Sequence, residues 1–112
     1  VINGPTIEAG ESLSDAIDLS AGRIVRLTTP AGWTGANLTF QVSSDGFGYN
    51  DLYDGDELVH VPCGPSRAVV INNPAFVESI AFLKIRSGTA ANPVPQEERR
   101  EFAVAIKTEA AP

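Results

Sequence analysis

The chain has 112 residues, 43% of them hydrophobic and 20% charged, a balance that suits one folded globular domain and excludes the low-hydrophobicity, high-charge profile of disorder. Its net charge of −6 and isoelectric point near 4.6 repel phosphate backbones, and no run of Lys/Arg interleaved with aromatics offsets that field, so nucleic acid is excluded as a partner. The longest apolar runs, Ala68-Val69-Val70-Ile71 and Ile80-Ala81-Phe82-Leu83, fall far short of the ~20 residues that span a bilayer as a helix. No membrane partner is expected.

Ten glycines and eight prolines leave little room for long helices, and the chain reads as short β-favouring runs between Gly, Pro, Asn and Asp punctuation. A short arm, Val1, Ile2, Asn3, Gly4 and Pro5, comes first, and it lacks the basic segment and apolar core of a secretory leader. A weak strand follows at 6–9. Residues 14–19 read as extended, although Asp15 and Asp18 break the alternation.

Residues 23–29 form a strand that ends at Pro30. Trp33 lies in the following turn and is expected to plug the end of the core. Residues 38–43 alternate cleanly, so Leu38, Phe40 and Val42 face inward, and Ser44-Asp45-Gly46 turns the chain. Residues 49–53 are a weaker strand, and 58–61 form a strand that runs into Pro62, with Val59 and Val61 inward and His60 outward.

Residues 67–71 and 80–86 are further strands, with one helical turn expected at 75–79, capped by Asn73 with Pro74 at the first helical position. Residues 87–100, with Gly88, Pro93 and Pro95, are too long and proline-rich for a hairpin turn and read as an extended surface loop. Residues 101–107 close the chain with Phe102, Val104 and Ile106 inward. About eight strands at this spacing predict an all-β fold, an antiparallel jelly-roll-type β-sandwich, over a single domain 1–112.

Chemistry is sparse. His60 and Cys63 are each unique, but an odd offset on a strand separates their side chains, and Pro62 lies between them, against a nucleophile–base pair. One His and one Cys cannot supply a zinc site, and Cys63 is expected to be a small packing residue. Asp45, Asn50, Asp51, Asp54, Asp56 and Glu57 crowd together without EF-hand spacing. Turn chemistry accounts for them, with calcium as the alternative. No phosphate-binding loop, nucleophile elbow or metalloprotease helix occurs, and no pair of acids is singled out. The expectation is a protein that is not an enzyme and carries no metal or cofactor.

Trp33 in Pro30-Ala31-Gly32-Trp33-Thr34, the strand and turn Phe40-Gln41-Val42-Ser43-Ser44-Asp45-Gly46, and the strand Phe82-Leu83-Lys84-Ile85-Arg86-Ser87-Gly88-Thr89 carry a resemblance. In that order they resemble small proteins encoded among the virion structural genes of tailed bacteriophages, related prophages and gene-transfer particles, over roughly residues 10–107. The same order is similar, in fold, to discoidin-like galactose-binding jelly rolls, although the binding-loop arginines of the glycan-binding members are missing.

The resemblance implies a virion component assembled in the host cytoplasm, in keeping with the single cysteine. It implies foremost a capsid decoration or cement protein whose partners are the major capsid protein or other virion proteins. The alternative is a neck, tail or fibre-associated module that binds host-surface glycans. Self-association into a homo-oligomer is compatible with both. On this reading the contacts are the arm, Val1, Ile2, Asn3, Gly4 and Pro5, and the loop segment Asn92, Pro93, Val94, Pro95 and Gln96, because proline-restricted segments cost less to order on a partner.

Overall fold

The computed structural model describes residues 2–19, 23–70 and 81–107. Among them the chain is all-β: β1 Ile2–Ile7, β2 Leu13–Asp18, β3 Arg23–Thr28, β4 Leu38–Ser43, β5 Asn50–Asp51, β6 Tyr53–Asp54, β7 Glu57–Leu58, β8 Ala68–Val70, β9 Phe82–Ser87 and β10 Arg100–Lys107. The expected helical turn at 75–79, Ile71 and Val1 lie outside the described residues.

The strands form two antiparallel four-stranded sheets, β1-β10-β3-β8 and β2-β9-β4-β5, with β6 and β7 as a separate small hairpin. Both sheets bury one shared cluster. Ile7, Ile24, Leu27, Phe102 and Val104 come from the first sheet, and Ile17, Leu38, Phe40, Leu83 and Ile85 from the second, an arrangement consistent with a β-sandwich. The period-2 pattern produces this directly, since alternate residues of β4, β9 and β10 turn the same way. Val42 and Ile106 are half-buried against the cluster.

Trp33 plugs the core beside β10. It is 3% exposed, its ring centroid lies 5.4 Å from that of Phe102, and its Nε1 donates to the Ala36 carbonyl at 3.1 Å. Val59 and Val61 are buried and His60 is exposed, as the alternation requires.

Where alternation fails in β2 the cause is a register shift between Leu13 and Ala16. Asp15 and Ala16 are both exposed there, and Asp15 turns to accept the Thr6 backbone N–H at 2.7 Å. A second shift lies in β1 between Asn3 and Thr6. These irregularities sit on the edge strands of the two sheets, where bulges blunt an otherwise open pairing edge.

The arm expected over residues 1–5 is corrected for Ile2, Asn3, Gly4 and Pro5. They belong to β1, paired with β10 through Ile2↔Val104 and Asn3↔Ala103, and Pro5 is buried. The segment looked irregular because Gly4 and Pro5 disfavour a regular strand, and the bulge absorbs them.

Candidate functional site

The loop between β9 and β10 is built from its base upward. Gly88 has a φ of 89°, and an added Cβ would lie 2.5 Å from the Asn92 carbonyl oxygen, so only glycine allows the chain to fold back so closely. Gly88 then bridges Pro93. The Val94 N–H donates to the Ser87 carbonyl at 2.9 Å, the Thr89 N–H to the Asn92 carbonyl at 3.2 Å, and the Asn92 N–H to Thr89 Oγ1 at 3.0 Å. Asn92, Pro93 and Pro95 are exposed and Val94 is half-buried.

Gln96 is a correction. Expected on the surface, it is 1% exposed and locks the loop to the core. Its Nε2 donates to Ser87 Oγ at 2.8 Å and to the Thr34 carbonyl at 3.3 Å. Its Oε1 accepts from the Thr34 N–H at 2.9 Å and from Arg100 Nε at 3.1 Å. Ser87 points inward in series with Leu83 and Ile85, and a hydroxyl on that face needs a buried partner. That inward serine was the one sequence signal for Gln96.

The turn after β4 is rigid for a different reason. Ser43 Oγ accepts from the N–H groups of Asp45 and Gly46 at 3.2 and 2.9 Å and donates to Asp45 Oδ1 at 2.9 Å. The same Oδ1 accepts from the N–H groups of Phe47 and Gly48 at 2.8 and 3.1 Å. Gly46, with a φ of 83°, lies against the Phe82 ring. Hydrogen bonds from Phe47 and Gly48, then from Ser43, hold the Asp45 carboxyl below its ordinary value of 3.8.

A depressed folded-state pKa contributes stability above the unfolded value, and that stability is lost as pH falls through the folded one. Asp45→Asn keeps an acceptor but removes the titration. The variant is therefore expected to show a shallower fall of stability below pH 3.8, measured by urea unfolding across the acid range. An unchanged slope would mean that the turn's bonds persist in the unfolded chain.

On the outer face of the second sheet, Arg86 is buried and pairs with Asp51, Nη1 to Oδ1 at 2.7 Å, while its Nε donates to Thr39 Oγ1 at 2.9 Å. Its Nη2 is buried with no hydrogen-bond partner among the described residues. Nearby on β9, Lys84 Nζ lies 4.4 Å from the centroid of the Tyr49 ring, a cation–π contact.

A polar cleft of about 740 Å³ opens beside β1 and β2, lined by Thr6, Glu8, Glu11, Asp15, Lys84 and Arg99 among others. Sequence reasoning missed it, because it brings Lys84 and Arg99 to residues 6–15. Glu8 and Arg99 pair across it at 3.2 Å with both side chains 60% exposed, and Asp15 is committed to the Thr6 N–H. Glu8, Glu11, Asp15 and Arg99 are exposed to water there, and Thr6 and Lys84 are half-buried.

Among the described residues no hydrogen bond joins His60 to Cys63, and the His60 ring lies 3.5 Å from the Leu58 carbonyl. Burial pushes the Cys63 thiol up, outweighing hydrogen bonds with Thr29 and Gly64 and the charge of Arg67, and so keeps it from the reactive thiolate form. Among the described residues no three His, Cys, Asp or Glu side chains gather as a metal site would require, and no helix is long and apolar enough to cross a membrane.

The described surface also presents two hydrogen-bonded loop tips, at residues 92–95 and at Phe47. Compared with protein-family models, with curated proteins and with solved structures, the chain matches none.

Proposed function

We propose that the chain is a structural protein of a tailed-phage particle, a capsid decoration or cement protein that stabilises the shell by docking preordered loops on neighbouring subunits. The observation that carries this reading is the loop tip at 92–95. It exposes Asn92, Pro93 and Pro95 while its base is fixed by the Gly88–Pro93 bridge and by buried Gln96. The ordering cost of a contact there is met on folding, before any partner arrives.

The scaffold is a jelly roll on this reading. With the β6/β7 hairpin set aside and the other strands renumbered in chain order, the sheets run 1-8-3-6 and 2-7-4-5. An antiparallel ribbon rolled into two interleaved sheets has that order. The sequence resemblance over residues 10–107 supports the same reading.

Replacing residues 92–95 with Gly and Ser, leaving Gln96 in place, should weaken attachment to particles stripped of the protein by about tenfold or more. The melting temperature of the isolated domain should stay nearly constant. Particles lacking the protein should release their contents at lower temperature. If the purified domain instead binds a defined oligosaccharide, and particles without it are stable but adsorb poorly, the cement reading fails and a glycan-binding fibre or tail module replaces it.

A further inference from the structure

Phe47 is 92% exposed, at the tip of the turn that follows β4. Single exposed apolar residues are ordinary on protein surfaces. Phe47 differs in its support. Five hydrogen bonds, all made by backbone groups and by the Ser43 and Asp45 side chains, fix the turn beneath it, and Gly46 packs on Phe82. None of them uses the phenyl ring, so the turn would form with a polar residue at 47. With the backbone beneath it already fixed, a contact through this ring has only side-chain freedom left to order, which favours an anchor residue at a protein interface.

Charge indicates what the anchor meets. From residue 27 to residue 66 the sequence contains no Lys or Arg, Asp45 in the same turn and Asp54, Asp56 and Glu57 further along are exposed, and two basic side chains that reach the segment are engaged, Lys84 on the Tyr49 ring and Arg86 with Asp51. We propose that Phe47 inserts into an apolar pocket on a different protein whose rim carries Lys or Arg side chains. A second copy of this chain is disfavoured as the occupant, because it brings the same acidic stretch and a net charge of −6, and like charges across a contact are repulsive. The inference rests on the reading that the domain acts by docking on another protein, and it names the chemistry of the site that receives it.

The test places p-benzoylphenylalanine at position 47 of the full chain in cells that produce the particles, with the same substitution at Pro95 and at exposed Ala9 as comparisons. Irradiation should link position 47 to one protein, identified by mass spectrometry, through a peptide with apolar residues flanked by Lys or Arg. Position 9 should give no link. Phe47→Ser should then weaken binding to that purified protein by about 30-fold without moving the melting temperature, and Phe47→Trp should retain binding.

A link from 47 to a shell protein supports both readings, whereas a link to a protein outside the particle supports the anchor and removes the cement function. A link at 95 but none at 47 overturns the anchor and leaves the cement function standing, and no link at either overturns both. A link between two copies of this chain, or unchanged binding by Phe47→Ser, overturns the proposal.

Discussion

Phe102→Ala is expected to lower the unfolding free energy by about 3–5 kcal/mol, as truncation of a buried phenylalanine does when its surroundings cannot collapse into the space. Phe102 is 1% exposed and sits on β10, flanked by β1 on one side and β3 on the other. Its neighbours are paired, Glu101 and Ala103 with β1 and Ala103 also with β3, which limits how far the strand can move to close the cavity. Trp33 would also lose its ring partner at 5.4 Å. Phe40→Ala, fully buried on the opposite sheet, should cost a similar amount. Domains of this size have roughly 5–15 kcal/mol in total, so either change should bring urea unfolding to much lower concentrations. Near-neutral results for both would mean that the two sheets do not share one core.

Gln96→Leu comes next in expected effect. The side chains are similar in size, but leucine leaves the Thr34 N–H, Arg100 Nε and Ser87 Oγ without the partners they have now. Each buried polar group stripped of its partner costs about 1–3 kcal/mol. These groups share one network and their costs overlap, so a total of about 3–5 kcal/mol is expected rather than the sum. Thermal or urea unfolding measures it directly. If Gln96 were instead a contact for a partner, the isolated domain would melt as before and only attachment would suffer, so this one variant separates the two roles.

The strands were legible wherever side chains alternate without interruption. Leu38, Phe40 and Val42, and likewise Phe102, Val104 and Ile106, show their inward face in the sequence because a half-buried strand has period two. Trp33 was legible as a plug and Asp45 as a turn residue for equally local reasons. The misreadings came where a distant segment decides the outcome. Ile2 to Pro5 look like an arm until β10 is laid beside them, since Gly and Pro weaken a strand locally and only the Ile2↔Val104 register recovers it.

Gln96 between prolines and charged residues has every local mark of a surface loop, and its burial depends on Thr34, sixty-two positions away. Arg86 beside Asp51 and the cleft that brings Lys84 to Glu8 are of the same kind. Of the contacts expected from sequence, 92–95 stays on the surface, while Gln96 and the described part of the arm are built into the frame. Phe47 follows the turn residues Asp45 and Gly46 directly in the sequence, but the support beneath it depends on Ser43 and Phe82.

The place of β10 in its sheet bears on how the molecule comes to be folded. The last of the described strands is an interior strand of its sheet, between β1 and β3. On a ribosome, β1 and β3 therefore emerge long before the strand that joins them. Until it arrives, both present open edges and the core lacks Phe102 and Val104. The first sheet therefore cannot close before β10 is made, and pairings this distant in sequence place folding in the slow, millisecond-to-second range of all-β domains. During that interval unpaired edges are a route to association between nascent chains. The bulge in β1 makes its edge a poor template, and the acidic charge of the chain keeps incomplete copies apart.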